Sequence, residues 1–553
     1  MYRSAVLIAL AALALAAPAR AADPILPLSQ VHAGMHCTGL SVIKGTTISS
    51  FDVEVLDVLA GNPDSTGARI LIRVSGPAVD DTGVGPGFSG SPIICGGRNA
   101  GAISEGIGEY GNKVVLATPI EAILGARPRT AATARRAPAL LKRAKPLATP
   151  LTISGATPHV LTLLQRAAKR AGRVLLDAPP GPLGGYPTQQ LRPGAAVAAS
   201  YATGELAFGA VGTVAYVDGN TVFAFGHQLD GAGPRSLFLQ DAYVFGVIGN
   251  PVGVPDFGAM TYKLTSPGGH TVGEMSNDTF SAIAGTVGAA PPSIPLRATA
   301  RLGSERASLT TQVADERALG LPGGLSLVAP IAGSTAIDRL LDSFEPVAMT
   351  LCTRFRVREL KKPIGFCNDY FDTFAPLSDV ARASSLVDAF DSGPLHISGS
   401  AIGMSIKRGF ADDVLVSADG PSRAPAGSTV PVKLKVRHRG GSKARTLTAR
   451  VPIPRGMSPG PHTLVLQGNG FATNEDELEL ALFDALTGGD SGGGAAKPRS
   501  VRQLAAAVAE IHRRLGIEAR FRHRDPRVVV PSSEVRYDGK VRVRLRVVRA
   551  RHR

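Results

Sequence analysis

Gly87-Phe88-Ser89-Gly90-Ser91-Pro92 is the stretch of this 553-residue chain that most directly predicts its fold and chemistry. Two short apolar runs follow it, 93–95 and 100–103, so it occupies a turn that leads into strands. Glycine on both sides of a serine permits backbone angles that most side chains exclude, and it leaves room for a carbonyl group to approach. Backbone N–H groups in such a turn can converge on an oxyanion. The stretch predicts a nucleophile at Ser89, with Ser91 as its nearest rival; a plain Gly/Ser turn is the other interpretation.

The N-terminus has the pattern of a secretory signal peptide over residues 1–21. Arg3 supplies the positive charge, residues 5–17 are apolar, and Ala19-Arg20-Ala21 is a small-x-small cleavage site, so we expect the mature chain to begin at Ala22. No later segment offers the roughly 18 uninterrupted apolar residues of a membrane-spanning helix. The expected location is therefore outside the cytoplasm, secreted or in the cell envelope.

The composition favours a mainly β protein with several domains. A chain of this length is too long for one hydrophobic core, and about three to five domains are expected. The chain has 64 glycines, 41 prolines and no tryptophan, which favours short strands joined by many turns. Composition and pattern predict eight segments: a signal peptide (1–21), a β half with the serine motif (22–125), a basic linker and helix (126–193), a second β half (194–305), a mixed α/β region (306–413), a small β-sandwich (414–486), a glycine linker (487–496) and a basic α+β domain (497–553).

Local patterns place several elements within these segments. Thr157, Pro158 and Gly172 are typical of the cap, the first turn and the stop of a helix. Asp218-Gly219-Asn220 lies between two apolar runs and predicts a hairpin. A second hairpin is predicted around Asp538-Gly539, before a strand in which arginine and apolar residues alternate.

The four cysteines form an even set, which is typical of disulfides in an exported chain. Cys37 and Cys95 both lie in the segment that carries Ser89, so we expect them to pair. Cys352 and Cys367 would then close a short loop. Neither pair has the spacing or the histidine neighbours of a zinc site, and we expect no metal and no cofactor.

The net charge of +16 is concentrated in two places. Residues 497–553 hold 17 Lys/Arg against 5 Asp/Glu, and residues 127–145 contain no acidic residue. Such a tail could contact an anionic cell-envelope polymer or a membrane surface, or could simply keep the protein soluble. We expect no nucleic-acid partner, because the chain is exported and has few aromatic residues for base stacking.

A serine nucleophile needs a base, and His227 has the most suggestive setting of the eleven histidines. It follows Ala224-Phe225-Gly226 at the end of the predicted hairpin. The other interpretation is a buried histidine whose ring is hydrogen-bonded to the backbone.

These segments resemble the SpoIVB-type serine peptidases, the sporulation stage IV B group and its exported relatives. Residues 87–94 are similar to that family's Gly-Met-Ser-Gly-Ser-Pro motif, with Phe88 in place of methionine, and residues 212–227 are similar to its strand–hairpin–Gly-His segment. The resemblance covers about residues 30–305. It implies a trypsin-like double β-barrel peptidase that cleaves a protein or peptide in the envelope.

The resemblance also implies roles for individual residues. Ser89 would be the nucleophile, His227 the general base, and the N–H groups of Gly87 and Ser89 the oxyanion hole. The family's acid aligns with Ser75-Gly76-Pro77, so Asp81 is our expected acid, with Asp80 beside it and a solvated turn as the other interpretation.

The segment order also departs from the sporulation peptidase, because the serine precedes the histidine. Catalytic triads tolerate any chain order, so this order indicates a permuted arrangement. The string Gly489-Asp490-Ser491-Gly492-Gly493 matches the trypsin nucleophile motif, but it sits in a glycine linker without rigid support. Two other functions remain open: a binding scaffold with a residual Ser/His pair, and an envelope adhesion protein led by the basic tail.

Overall fold

A computed structural model describes most of the chain. The described residues are 23–59, 67–106, 113–127, 150–249, 261–321, 323–341, 347–373, 375–469, 475–487, 497–511, 515–522, 524 and 526–549. The predicted signal peptide, most of the basic linker and the glycine linker with Ser491 lie outside these ranges. None of the helices in the described ranges is long and apolar enough to cross a membrane.

The first unit is a closed six-stranded barrel in the order β1-β2-β3-β6-β5-β4. Alternation along β2 turns Phe51, Val53 and Val55 into the barrel core, as the sequence pattern predicts. The serine motif lies in the connection from β3 to β4. The elements are β1 (His36–Lys44), β2 (Thr47–Leu59), β3 (Arg69–Ser75), β4 (Pro92–Cys95), β5 (Arg98–Gly106), β6 (Val114–Pro119) and α1 (Ile120–Leu124).

The second unit is another six-stranded ring, closed by the pairing of β9 with β10. Its order is β9-β12-β15-β16-β11-β10, and the predicted hairpin forms β10 and β11. His227 follows β11 directly. The elements are β7 (Leu151–Ser154), α2 (Pro158–Arg170), β8 (Leu175–Asp177), β9 (Ala196–Gly204), β10 (Ala207–Asp218), β11 (Thr221–Ala224), β12 (Gly233–Asp241), β13 (Val244–Ile248), β14 (Tyr262–Thr265), β15 (Thr271–Asp278) and β16 (Ile283–Val287).

Five further strands extend the second barrel from β9 in the order β18-β17-β21-β19-β20. Two helices cover one face of this extension, and their apolar residues share a core with the second barrel. The elements are β17 (Ser293–Leu302), β18 (Glu305–Ala314), α3 (Leu325–Asp338), β19 (Val347–Val357), β20 (Ile364–Tyr370), α4 (Ala375–Asp388) and β21 (Ile397–Arg408).

The remaining strands form a sandwich of two sheets, β25-β24-β22-β29 and β23-β30-β26-β27-β28, around one apolar core. The elements are β22 (Ala411–Asp419), β23 (Arg423–Pro425), β24 (Thr429–His438), β25 (Ala444–Pro452), β26 (Gly460–Gly468), α5 (Glu475–Thr487), α6 (Val501–Ala509), β27 (Gly516–Phe521), β28 (Arg527–Pro531), β29 (Val535–Asp538) and β30 (Lys540–Val548).

This arrangement differs from the predicted division into segments 414–486 and 497–553. The sandwich takes strands from both segments, and α5 and α6 pack on the core of the second barrel instead. The turn at Asp538-Gly539 does not form a hairpin either, because β29 pairs with β22 and β30 pairs with β26. Alternating residues determine which side chains are buried, but they do not determine which strand is the neighbour.

Both expected disulfides are present. Cys37–Cys95 links β1 to the end of β4, and Cys352–Cys367 links the paired strands β19 and β20. The first therefore ties β4, the strand that follows the serine motif, to its neighbour β1. Among the described residues, no group of three His, Cys, Asp or Glu side chains could hold a metal ion.

Candidate active site

The serine loop, residues 86–91, is a compact turn that needs its glycines. Gly87 and Gly90 have φ angles of 94° and 92°, which favour glycine. A Cβ atom on Gly90 would lie 1.9 Å from the carbonyl oxygen of Thr213, so a larger residue cannot occupy this position without a shift. Ser89 itself is half-buried at the tip of the turn.

The serine loop belongs to the first barrel but is held largely by the second. The N–H of Thr213, on β10, donates to the carbonyl oxygen of Ser89 at 2.8 Å, and its hydroxyl donates to that of Gly87 at 2.9 Å. On the other side, the N–H of Gly90 donates to the carbonyl oxygen of Ile103 at 2.7 Å. The loop is therefore fixed at the interface between the barrels.

The two N–H groups predicted to form an oxyanion hole are available. Among the described residues, neither the N–H of Gly87 nor that of Ser89 donates a hydrogen bond. Buried or half-buried N–H groups normally find an acceptor, so two free donors in one turn can serve a ligand oxygen.

His227 is placed by an unusual backbone turn. Phe225 has a φ of 69° and is the one non-glycine residue with positive φ in the described ranges; Gly226 follows with 68°. A left-handed conformation costs a non-glycine residue about 1–2 kcal/mol. The first barrel holds this turn, because the hydroxyl of Thr118 donates to the carbonyl oxygen of Gly226 at 2.6 Å. Such local strain is characteristic of functional sites.

The hydrogen bond of His227 selects one tautomer of its ring. Nδ1 lies 2.7 Å from the carbonyl oxygen of Gln228, which can only accept, so Nδ1 carries the proton. In this tautomer Nε2 carries the lone pair and has the chemistry of a base. The ring is 7% exposed, and burial lowers the pKa of His227 below its ordinary value of 6.5. The ring is therefore neutral at pH 7.

The carboxylate whose charge acts on His227 is Glu105. The negative charge of Glu105 acts to raise the pKa of His227, against the effect of burial, and the positive charge of Arg69 acts to lower it further. Glu105 is in turn paired with Arg69 at 2.9 Å. Asp81 lies exposed on the turn before the serine loop, and its neighbour Asp80 is bonded to Lys113 at 2.9 Å. The role of Asp81 as the orienting acid stays a prediction, and sequence reasoning missed Glu105 because no motif marks it.

Asp278, on β15, anchors the segment that follows His227. Its carboxylate accepts the N–H groups of Leu229, Asp230 and Gly231, each at 2.8 Å. Burial raises the pKa of Asp278, while the charge of Arg235 and the N–H groups of Leu229, Ala232 and Gly231 oppose the rise. This anchor was also invisible in the sequence, because the carboxylate lies about fifty residues from the backbone that it holds.

Comparisons with known proteins add no evidence about the family or the function of this chain. No family model, no curated protein and no solved structure matches the chain. The resemblance to SpoIVB-type peptidases therefore rests on the sequence motifs alone, chiefly those around Ser89 and His227.

Proposed function

We propose that the protein is an exported serine endopeptidase of the SpoIVB type, which cleaves a protein partner in the cell envelope. The observation that carries the proposal is the reciprocal docking of two turns at one interface. The serine loop of the first barrel is bonded to Thr213, and the histidine turn of the second is bonded to Thr118. A trypsin-like site lies between two such barrels, and the proposal assigns the two halves to it in permuted order.

The chemistry would be acyl transfer to Ser89. Nε2 of His227 accepts the hydroxyl proton while Oγ of Ser89 bonds to the carbonyl carbon of the scissile peptide. The carbonyl oxygen becomes an oxyanion and accepts hydrogen bonds from the N–H groups of Gly87 and Ser89. His227 then gives the proton to the leaving amine, and water hydrolyses the acyl-enzyme in a second step.

The test is covalent labelling of the purified mature protein with a fluorophosphonate probe. We expect one probe per wild-type molecule, no labelling of Ser89→Ala and strongly reduced labelling of His227→Ala. His270→Ala is the matched control, since His270 lies next to β15 of the same barrel but bonds to Asp241 instead. Ser91→Ala tests the second serine. Circular dichroism checks that each variant is folded.

The alternative is a scaffold without catalytic activity. A folded wild-type protein that takes up no probe would favour it over the peptidase. Labelling that survives Ser89→Ala but disappears in Ser91→Ala would instead move the nucleophile to the second serine.

A second candidate function rests on the sandwich. Strand β30 buries Val543, Leu545 and Val547 and exposes Arg542, Arg544 and Arg546 in one row, which suits an anionic polymer of the cell envelope. We expect replacement of the three arginines by glutamine to lower the salt concentration that elutes the protein from a heparin column. The matched control is the triple glutamine variant of the exposed row Lys433, Lys435 and Arg437 on the other sheet. Equal shifts in both variants would mean that charge alone, and not this face, governs retention.

A further inference from the structure

Lys263, on β14, is buried directly beneath the serine loop. Its side chain is 2% exposed, and its Nζ lies 4.4 Å from the ring centre of Phe88. In the described part of the chain it forms no ion pair. A buried amine without a carboxylate partner is costly when charged, so a specific role is needed to explain it.

The amine of Lys263 bonds to two hydroxyl groups. Nζ donates to Oγ of Ser41 at 2.6 Å and to Oγ1 of Thr213 at 3.2 Å. Each hydroxyl is itself hydrogen-bonded to the serine loop. Oγ1 of Thr213 donates to the carbonyl oxygen of Gly87, and Oγ of Ser41 lies 2.8 Å from Oγ of Ser91. One amine is thus connected to both ends of the sequence Gly87-Phe88-Ser89-Gly90-Ser91.

The backbone of Lys263 makes a third connection. Its N–H donates to the carbonyl oxygen of Pro86 at 2.9 Å. The peptide plane of Pro86 carries the N–H of Gly87, so this bond fixes the direction of one predicted oxyanion donor. The side-chain stem also packs against Gly87, where an added Cβ would lie 2.8 Å from Cβ of the lysine.

An uncharged amine satisfies this network. It has two N–H donors for two hydroxyl groups, whereas an ammonium has three donors for the same two partners. Burial lowers the pKa of Lys263 to about 7, which makes the uncharged form accessible near neutral pH. Ser41 and Ser91 are fully buried, so neither hydroxyl is exposed to a substrate.

We propose that Lys263 is a positioning residue of the Ser89 site, which holds both ends of the serine loop through Ser41 and Thr213 and so keeps the N–H groups of Gly87 and Ser89 in place for an oxyanion. The part about the oxyanion rests on the proposed peptidase function. The part about the loop does not, because its hydrogen bonds exist whether or not the protein is an enzyme.

The first experiment measures amide hydrogen exchange of the serine loop by mass spectrometry in the full-length mature protein. Lys263→Met keeps the unbranched stem and removes the donors; Thr213→Val removes one hydroxyl and keeps the shape. We expect both to accelerate exchange of the hydrogen-bonded amides of Phe88, Gly90 and Ser91. Thr213→Ser should keep the wild-type rate because it retains the hydroxyl. Lys113→Met, which removes an exposed lysine directly before β6 in the first barrel, is the control.

The second experiment measures the rate of fluorophosphonate labelling in the same variants. A displaced oxyanion donor costs about 10- to 100-fold, so we expect Lys263→Met and Thr213→Val to slow labelling by this factor and Thr213→Ser to remain within about twofold of wild type. A folded Lys263→Met protein with wild-type exchange in the loop would overturn the proposal, as would a loosened loop with an unchanged labelling rate. Absence of labelling in the wild type would refute the peptidase function, and exchange alone would then decide whether Lys263 holds the loop.

Discussion

Replacing Lys263 by methionine should change how the stability of the protein depends on pH. Burial lowers the pKa of Lys263 from 10.5 to about 7. Below pH 7 both the folded and the unfolded chain hold the proton, and the folded state carries the full cost of the buried charge. Between pH 7 and 10.5 only the unfolded chain binds the proton, so the wild type gains stability as the pH rises.

The size of this gain follows from proton linkage. Each pH unit well inside that window adds about 1.4 kcal/mol to the unfolding free energy. Between pH 7 and 9 the gain is about 2 kcal/mol, because the amine of the folded protein is only half deprotonated at pH 7. For a cooperative unit of the size of the double barrel, this corresponds to roughly 4–8 °C in Tm. The methionine variant has no titrating amine at this position. Between pH 7 and 9, the Tm of the wild type should therefore rise by this amount relative to the Tm of the variant.

The assay is calorimetry of wild type, Lys263→Met and the exposed control Lys113→Met at several pH values from 6 to 9. Differences between variants remove the contributions of all other titrating groups. A Tm difference between wild type and Lys263→Met that stays constant from pH 7 to 9 would refute the reasoning. It would mean that the amine remains charged inside the protein, held by a negative partner.

Three further predictions concern the backbone and the histidine. Gly90→Ala should destabilise the protein by about 3 kcal/mol or more, because its Cβ would lie 1.9 Å from the carbonyl oxygen of Thr213; Gly97→Ala, with φ of 75° and nothing within 4 Å, should cost about 1 kcal/mol in the same thermal melt. Burial lowers the pKa of His227, and the base must be unprotonated, so the labelling rate should fall only below pH 6.5; a fall that begins above pH 7 would contradict this. Asp278→Asn should lower stability by about 2–3 kcal/mol, since an amide cannot accept all the N–H groups that the carboxylate accepts, whereas Asp218→Asn on the exposed hairpin should leave Tm nearly unchanged.

Much of the local structure could be predicted from the sequence because it depends on neighbouring residues. The turn at Asp218-Gly219-Asn220 joins β10 and β11, and the helix that begins at Pro158 ends two residues before Gly172. The alternation in β24 buries Val430, Val432, Leu434 and Val436. These patterns follow from the side-chain periodicity of strands and from the angles that glycine and proline allow.

The residues that hold the candidate site could not be predicted in this way. Lys263 lies more than 170 residues from the serine loop, and Asp278 lies about fifty residues after His227. A lysine between apolar neighbours in a strand gives no local sign that it will be buried beneath a turn of the first barrel. Only closure of both barrels brings these groups together, and closure depends on long-range strand pairing that periodicity does not specify.

The reciprocal contacts between the barrels have a consequence for folding. The serine loop is bonded to residues of the second barrel, and the strained turn at Phe225 is bonded to residues of the first. A chain in which only one barrel has formed therefore lacks the contacts between barrels that hold the serine loop and the turn before His227. Under the proposed peptidase function, the site forms only when the interface assembles, so a nascent or partly unfolded molecule would not cleave its own chain or its neighbours before the two barrels have met.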